Sequence, residues 1–140
     1  MAADQPTRSL PPAKFPAETA SITISRHRLE HFLYDLPEDV RTVAALLVSE
    51  LTTNVLRHAH THFSLCADLT PFALRVEVAD GTRDPPVVRD PDPSEWGGRG
   101  MMLVSQLADN WGTEPIPDGK LVWFELSLVK PEHLSEGGDL

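Results

Sequence analysis

At 140 residues with 41% hydrophobic content, the chain fits one domain with an ordinary core and leaves little room for a second. A net charge of −9 argues against nucleic acid or an anionic membrane as a general partner. Cys66 is the only cysteine, which excludes an intramolecular disulfide and a cysteine-rich zinc site. With no apolar N-terminal segment and no run of about 18 apolar residues, the expectation is a cytoplasmic protein.

Residues 1–16 carry Pro6, Pro11, Pro12 and Pro16 among small polar residues, which predicts a flexible arm ending in a short strand near Phe15. A helix is expected over residues 20–34, with Ile22, Leu29, Phe32 and Leu33 inward. Its first turn is ambiguous, because Ile22-Thr23-Ile24 alternates like a strand. A second, longer helix should run to Ala59. Asp35 and Glu38 have the spacing of a capping box around Pro37, and Val40, Val43, Ala44, Leu47, Leu51 and Val55 recur on one helical face. At about 100° per residue, Asn54 and His58 fall in the middle of that face and Glu50 on its edge. A carboxylate, an amide and an imidazole on a core-facing stripe are either a satisfied buried network or one wall of a site.

Two alternating strands should follow. Phe63, Leu65, Ala67 and Leu69 share one face of the first; after a turn at Thr70-Pro71, Leu74, Val76 and Val78 share one face of the second. Continuing the period of two puts Asp80 on the inward side, immediately before Gly81. That is either a turn-forming Asp-Gly or a carboxylate placed for use.

From Gly81 to Gly97 no apolar period exists, and Pro85, Pro86, Pro91 and Pro93 exclude regular structure, so a long functional loop is expected. It runs into Gly98, Arg99 and Gly100, just before Met101, Val104, Leu107 and Ala108 at helical spacing. Glycines opening a helix leave backbone N–H groups free for a phosphate, although the spacing is neither a Walker A loop nor a Rossmann fingerprint. A strand over residues 111–116, a turn through Pro117, Asp118, Gly119 and Lys120, and a final strand over 121–129 complete the domain. Val122, Phe124, Leu126 and Leu128 point inward on that strand and Trp123 outward. Residues 131–140 read as a mobile acidic tail.

The segment with Glu50, Leu51, Asn54, His58 and Ala59 resembles the N-box of the GHKL (Bergerat-fold, histidine-kinase-like) ATPases, most closely the bacterial anti-sigma-factor serine kinases. Asp80-Gly81 resembles the G1 box and Gly98-Arg99-Gly100-Met101 the G2 box. Where many relatives have threonine after the Gly-Lys of the last hairpin, this chain has Leu121. The resemblance implies a two-layer α/β sandwich with helices on one face of a mixed, mainly antiparallel sheet, occupying residues 17–130. It also implies ATP with Mg²⁺, with Asn54 as the metal ligand and Glu50 as the general base. Asp80 would accept from the adenine amino group. Arg57, His58, Gly81, Gly98, Arg99, Gly100 and Met101 would complete the nucleotide site.

Implied partners are a sigma factor and the antagonist that displaces it, with a homodimer left open. Two functions stay open: a protein serine/threonine kinase, or a non-catalytic module of the same fold. The histidines offer a rival reading as a transition-metal site, since His58, His60 and His62 alternate and His27 and His31 stand four apart. A helix end falls among the first three, and no HExxH motif accompanies them.

Overall fold

A computed structural model describes residues 6–83 and 100–129 of the chain. Along the sequence these form β1 (Arg8–Phe15), α1 (Thr19–Phe32), α2 (Glu38–Asn54), a π-helical turn (Val55–Ala59), β2 (Phe63–Leu69), β3 (Ala73–Asp80), α3 (Gly100–Leu107), β4 (Asn110–Ile116) and β5 (Gly119–Ser127). The strands make one sheet in the order β1-β2-β3-β5-β4, and every neighbouring pair is antiparallel. The helices pack on one face, giving the two-layer α/β sandwich expected.

The alternation read from the sequence is the alternation of burial. Phe63, Leu65, Ala67 and Leu69 on β2, Leu74, Val76 and Val78 on β3, and Val122, Phe124 and Leu126 on β5 are buried under the helices. From above, Leu29, Phe32 and Leu33 of α1 and its end, Ala44, Leu47, Val48 and Leu51 of α2, and Met101 and Val104 of α3 close the core. Each fully buried aliphatic side chain of this kind contributes ~1.5–3 kcal/mol. In α1 the ambiguity at Ile22-Thr23-Ile24 resolves as helix. Ser21 and Ser25 take the buried positions, their hydroxyls donating to the carbonyls of Pro16 and Ile22, while Ile24 stays exposed. Leu107, one of the apolar residues at helical spacing on α3, is also exposed.

Two sequence expectations need correction. Residues 8–15 are an eight-residue strand on the edge of the sheet and not a flexible arm, so the domain begins before residue 17. Leu10 and Ala13 pair with β2 on either side of an irregularity that holds Pro11 and Pro12, where the ladder can do without two N–H donors. Arg28 of α1 donates to the Pro11 carbonyl at 3.2 Å.

The capping box is not formed. The N-cap of α2 is Pro37, with no side-chain cap, and the helix relies on Glu38 and Asp39 in its first turn to complement the backbone dipole. Asp35 is held elsewhere: Arg8 donates to its Oδ1 at 2.8 Å and Oδ2 at 3.2 Å, and also to the Phe32 carbonyl at 2.7 Å. The same guanidinium lies over the rings of Phe32 and Tyr34. A bidentate arginine–carboxylate pair of this kind outcompetes a neutral cap for the aspartate.

Among the described residues, no helix covers the outer face of the sheet. There Arg75 stacks on Trp123, 4.2 Å from the ring, and reaches Glu77 at 2.8 Å and Glu125 at 3.4 Å. Trp123 faces outward as predicted, with its indole against Gly112, where an added Cβ would fall 2.8 Å from the ring. Cys66 lies on the same face and donates to Glu77; burial first and the nearby carboxylate second push its thiol up to about 12.

Candidate functional site

The residues that the sequence singles out come from four places in the fold. Helix α2 supplies Glu50 and Asn54, the π turn supplies Arg57 and His58, the end of β3 supplies Asp80 and Gly81, and Gly100 opens α3 ahead of Met101. Helix α3 packs against α2, and α2 against β3 and β5, so these elements share the helical side of the sheet. Gly98 and Arg99, and the loop between Arg83 and Gly100, lie outside the described residues, as does the tail.

Glu50 is half-buried and borders a cleft of about 340 Å³ between α1 and α2, shared with Thr19, Ile22, Thr23, Arg26, Ser49 and Thr53. The cleft beside it is lined by the side chains of Thr19, Thr23, Ser49 and Thr53, while Oε2 of the carboxylate is itself buried. One helical turn on, Asn54 ends α2 half-buried, and among the described residues no hydrogen bond engages its side-chain amide. An amide left without a protein partner at the head of a site is suited to a ligand, since its oxygen can serve a hard cation or a phosphate-bound water.

His58 does not project into the core, as helical extrapolation required; it is exposed, and Asn54 is only half-buried. The cause is the backbone. After Asn54 the helix widens into a π turn, closed by the His60 N–H donating to the Val55 carbonyl at 2.9 Å. The wider turn rotates later residues less per step, so His58 falls behind the α-helical stripe while Val55 keeps its buried place. His60 then ends the segment in the left-handed region, at φ 56° and ψ 28°. Such inserted turns collect at functional sites.

Asp80 is buried on the inward side of β3, as its period predicts, and is 5% exposed. Its Oδ1 accepts from the Thr82 N–H at 2.9 Å, and its Oδ2 accepts from Lys120 Nζ at 2.8 Å. The Gly81 N–H donates to the Thr61 hydroxyl at 2.8 Å, tying the end of β3 to the loop after the π turn. Position 121 is not the one that faces the carboxylate. The β3–β5 register sets Asp80 opposite Lys120 and Leu121 opposite Ala79, which turns Leu121 to the other face. Lys120 is itself only 5% exposed, a buried ammonium that sequence reading passed over as part of a turn. Its signal was available, because alternation from Val122 and Phe124 puts residue 120 inward.

Met101 is buried beneath the start of α3, so its side chain serves the core and only its backbone could face a ligand. No three His, Cys, Asp or Glu side chains cluster as a metal centre among the described residues. The amide-plus-phosphate arrangement read for Mg²⁺ needs no such cluster.

The family model described as the histidine kinase-like ATPase domain matches residues 15–126. Among solved structures, the chain is similar to the crystal structure of the RsbU and RsbW domains of Rv1364c from Mycobacterium tuberculosis. The TM-score is 0.62 at 15% identity, over 86% of this chain and 33% of that one. The chain thus spans about a third of that protein's length, and the likeness is one of fold. No curated protein matches. With the family model running from the edge strand to the end of the sheet's longest strand, the chain belongs to the histidine kinase-like ATPase domain family.

Proposed function

We propose that this domain binds Mg²⁺-ATP and acts as an anti-sigma regulatory factor. It holds a sigma factor and phosphorylates a serine or threonine on the antagonist that displaces it. The observation that carries the reading is the pair on α2: Asn54, whose amide is engaged by no group among the described residues, one turn from Glu50, which borders the cleft between α1 and α2. Asn54 would hold Mg²⁺ through its amide oxygen. Bound Mg²⁺-ATP would supply the phosphoryl group and neutralise charge on it. Glu50 would take the proton of the incoming hydroxyl, which enters past the threonines and serine of the cleft. The backbone N–H groups of Gly100 and Met101 at the start of α3 would receive phosphate oxygens, with Gly98, Arg99, Arg57 and His58 around them. The match to an ATPase family and the RsbW-containing neighbour support ATP and a regulatory protein partner.

A second reading is a non-catalytic module that holds its partner without phosphoryl transfer. The Asp80–Lys120 pair favours it, because the carboxylate meant for adenine already has a donor on each oxygen.

Transfer of labelled γ-phosphate to antagonist domains separates the two. A general base contributes about 10² to 10⁴ in rate. Glu50→Gln keeps shape and hydrogen bonding, so it should bind Mg²⁺-ATP like wild type while transfer falls by that factor. Transfer at the wild-type rate removes Glu50 from the chemistry. ATP binding by the wild type with no transfer to any antagonist leaves the module.

A further inference from the structure

A buried ammonium already donates to the carboxylate that a base-reading site would use as its acceptor. Lys120 Nζ donates to Asp80 Oδ2 at 2.8 Å, with the lysine side chain 6% and the aspartate side chain 1% exposed. The Thr82 N–H takes the other oxygen. Among the described residues Lys120 has no second carboxylate partner. The pair cannot slide apart by a change of register. Gly119 approaches the Asp80 backbone so closely that an added Cβ would overlap the Asp80 carbonyl oxygen, and residues 73–80 of β3 pair continuously with 120–127 of β5.

We propose that Lys120 is the specificity-determining residue of the nucleotide site, an internal competitor for the exocyclic amino group of the base. The inference rests on the nucleotide reading above and deepens it. A hydrogen bond from an ammonium to a carboxylate is roughly twice as strong as one from a neutral amine. An amino group that displaces Lys120 also leaves a buried charge without its partner. Adenine therefore gains little at Asp80, and the phosphates and ring must supply the affinity. The free chain binds adenine nucleotides weakly and discriminates little against guanine nucleotides, whose O6 can accept from the same ammonium.

The experiment is calorimetric titration of the full chain with Mg²⁺-ATP and Mg²⁺-GTP, comparing wild type, Lys120→Thr and Lys120→Gln. Circular dichroism melting establishes that each variant is folded. Thr keeps a neutral donor and vacates the space; Gln keeps length and a donor but drops the charge. Releasing the carboxylate for one hydrogen bond should tighten ATP about tenfold in Lys120→Thr, raise the ATP-over-GTP ratio by a similar factor, and give a smaller gain of the same sign in Lys120→Gln. If Lys120→Thr does not fold, Lys120→Gln carries the comparison. Folded variants that bind ATP as wild type does, or more weakly, overturn the proposal and leave the nucleotide site standing. No binding of either nucleotide by wild type and folded variants alike overturns both.

Discussion

Two residues show how a local choice of partner sets a measurable property. Arg8 holds Asp35 through two hydrogen bonds, and the guanidinium keeps the Asp35 carboxyl below the usual carboxylate range, its hydrogen bond being the largest cause. A carboxyl whose folded pKa is depressed stabilises the fold above its unfolded pKa, about 3.9, and that contribution is lost as pH falls through the folded value. Arg8→Met should therefore lower the melting temperature at pH 6. The difference from wild type should shrink as pH falls below about 4. Melting curves between pH 6 and 2.5 check it; a constant difference would mean that Arg8 acts through its packing on Phe32 and Tyr34. His60 is the other case. At φ 56° it occupies a conformation that costs an L-residue about 1–2 kcal/mol and that glycine adopts freely. His60→Val, β-branched in that region, should destabilise by at least ~1 kcal/mol in denaturant titration, whereas His60→Gly should not. Equal loss in both would place the importance of His60 in its imidazole.

At the scale of elements, α2 with its π turn joins core to site. Buried Leu47, Val48, Leu51 and Val55 anchor it, and the same turns carry Glu50 and Asn54 at its half-exposed margin. If Asn54 ligates the metal, Asn54→Ala should cost little stability without ligand. It should also remove the part of the ATP-induced melting shift that depends on Mg²⁺. Mg²⁺-ATP at a hundredfold over its dissociation constant should add about 2.7 kcal/mol to the wild type, and a mutant responding equally removes Asn54 from that role. Strands and helices were legible because period two and period 3.6 are written in the apolar residues; Asp80 was placed inward on that ground alone. The π turn was not legible, because inserting one residue changes no composition, and extrapolating α-helical geometry across it misplaced His58. The capping box failed for a different reason. Asp35 has the right spacing in sequence but a stronger partner 27 residues away, and no local pattern reports that.

At the scale of the whole molecule, the described residues form an open sheet with β1 and β4 at its edges and the helices on one face. The prolines of residues 6–16 look like markers of disorder when read along the chain, because pairing with β2 is invisible from β1 alone. In three dimensions they have another consequence, for how copies of this protein meet. An uncovered strand offers a ladder of donors and acceptors to any neighbour, and open sheets polymerise through such ladders. On β1 the irregularity at Pro11 and Pro12 removes two donors, and Arg28 already takes the Pro11 carbonyl. On β4, at the opposite edge, Pro115 withholds another. Restoring β-formers at the first edge, as Pro11→Val with Pro12→Val, should leave the fold intact while raising the rate of fibrillar association at high protein concentration. Light scattering and thioflavin fluorescence follow it, and no change from wild type would mean that charge repulsion at net −9, rather than proline, keeps the sheets of neighbouring copies apart.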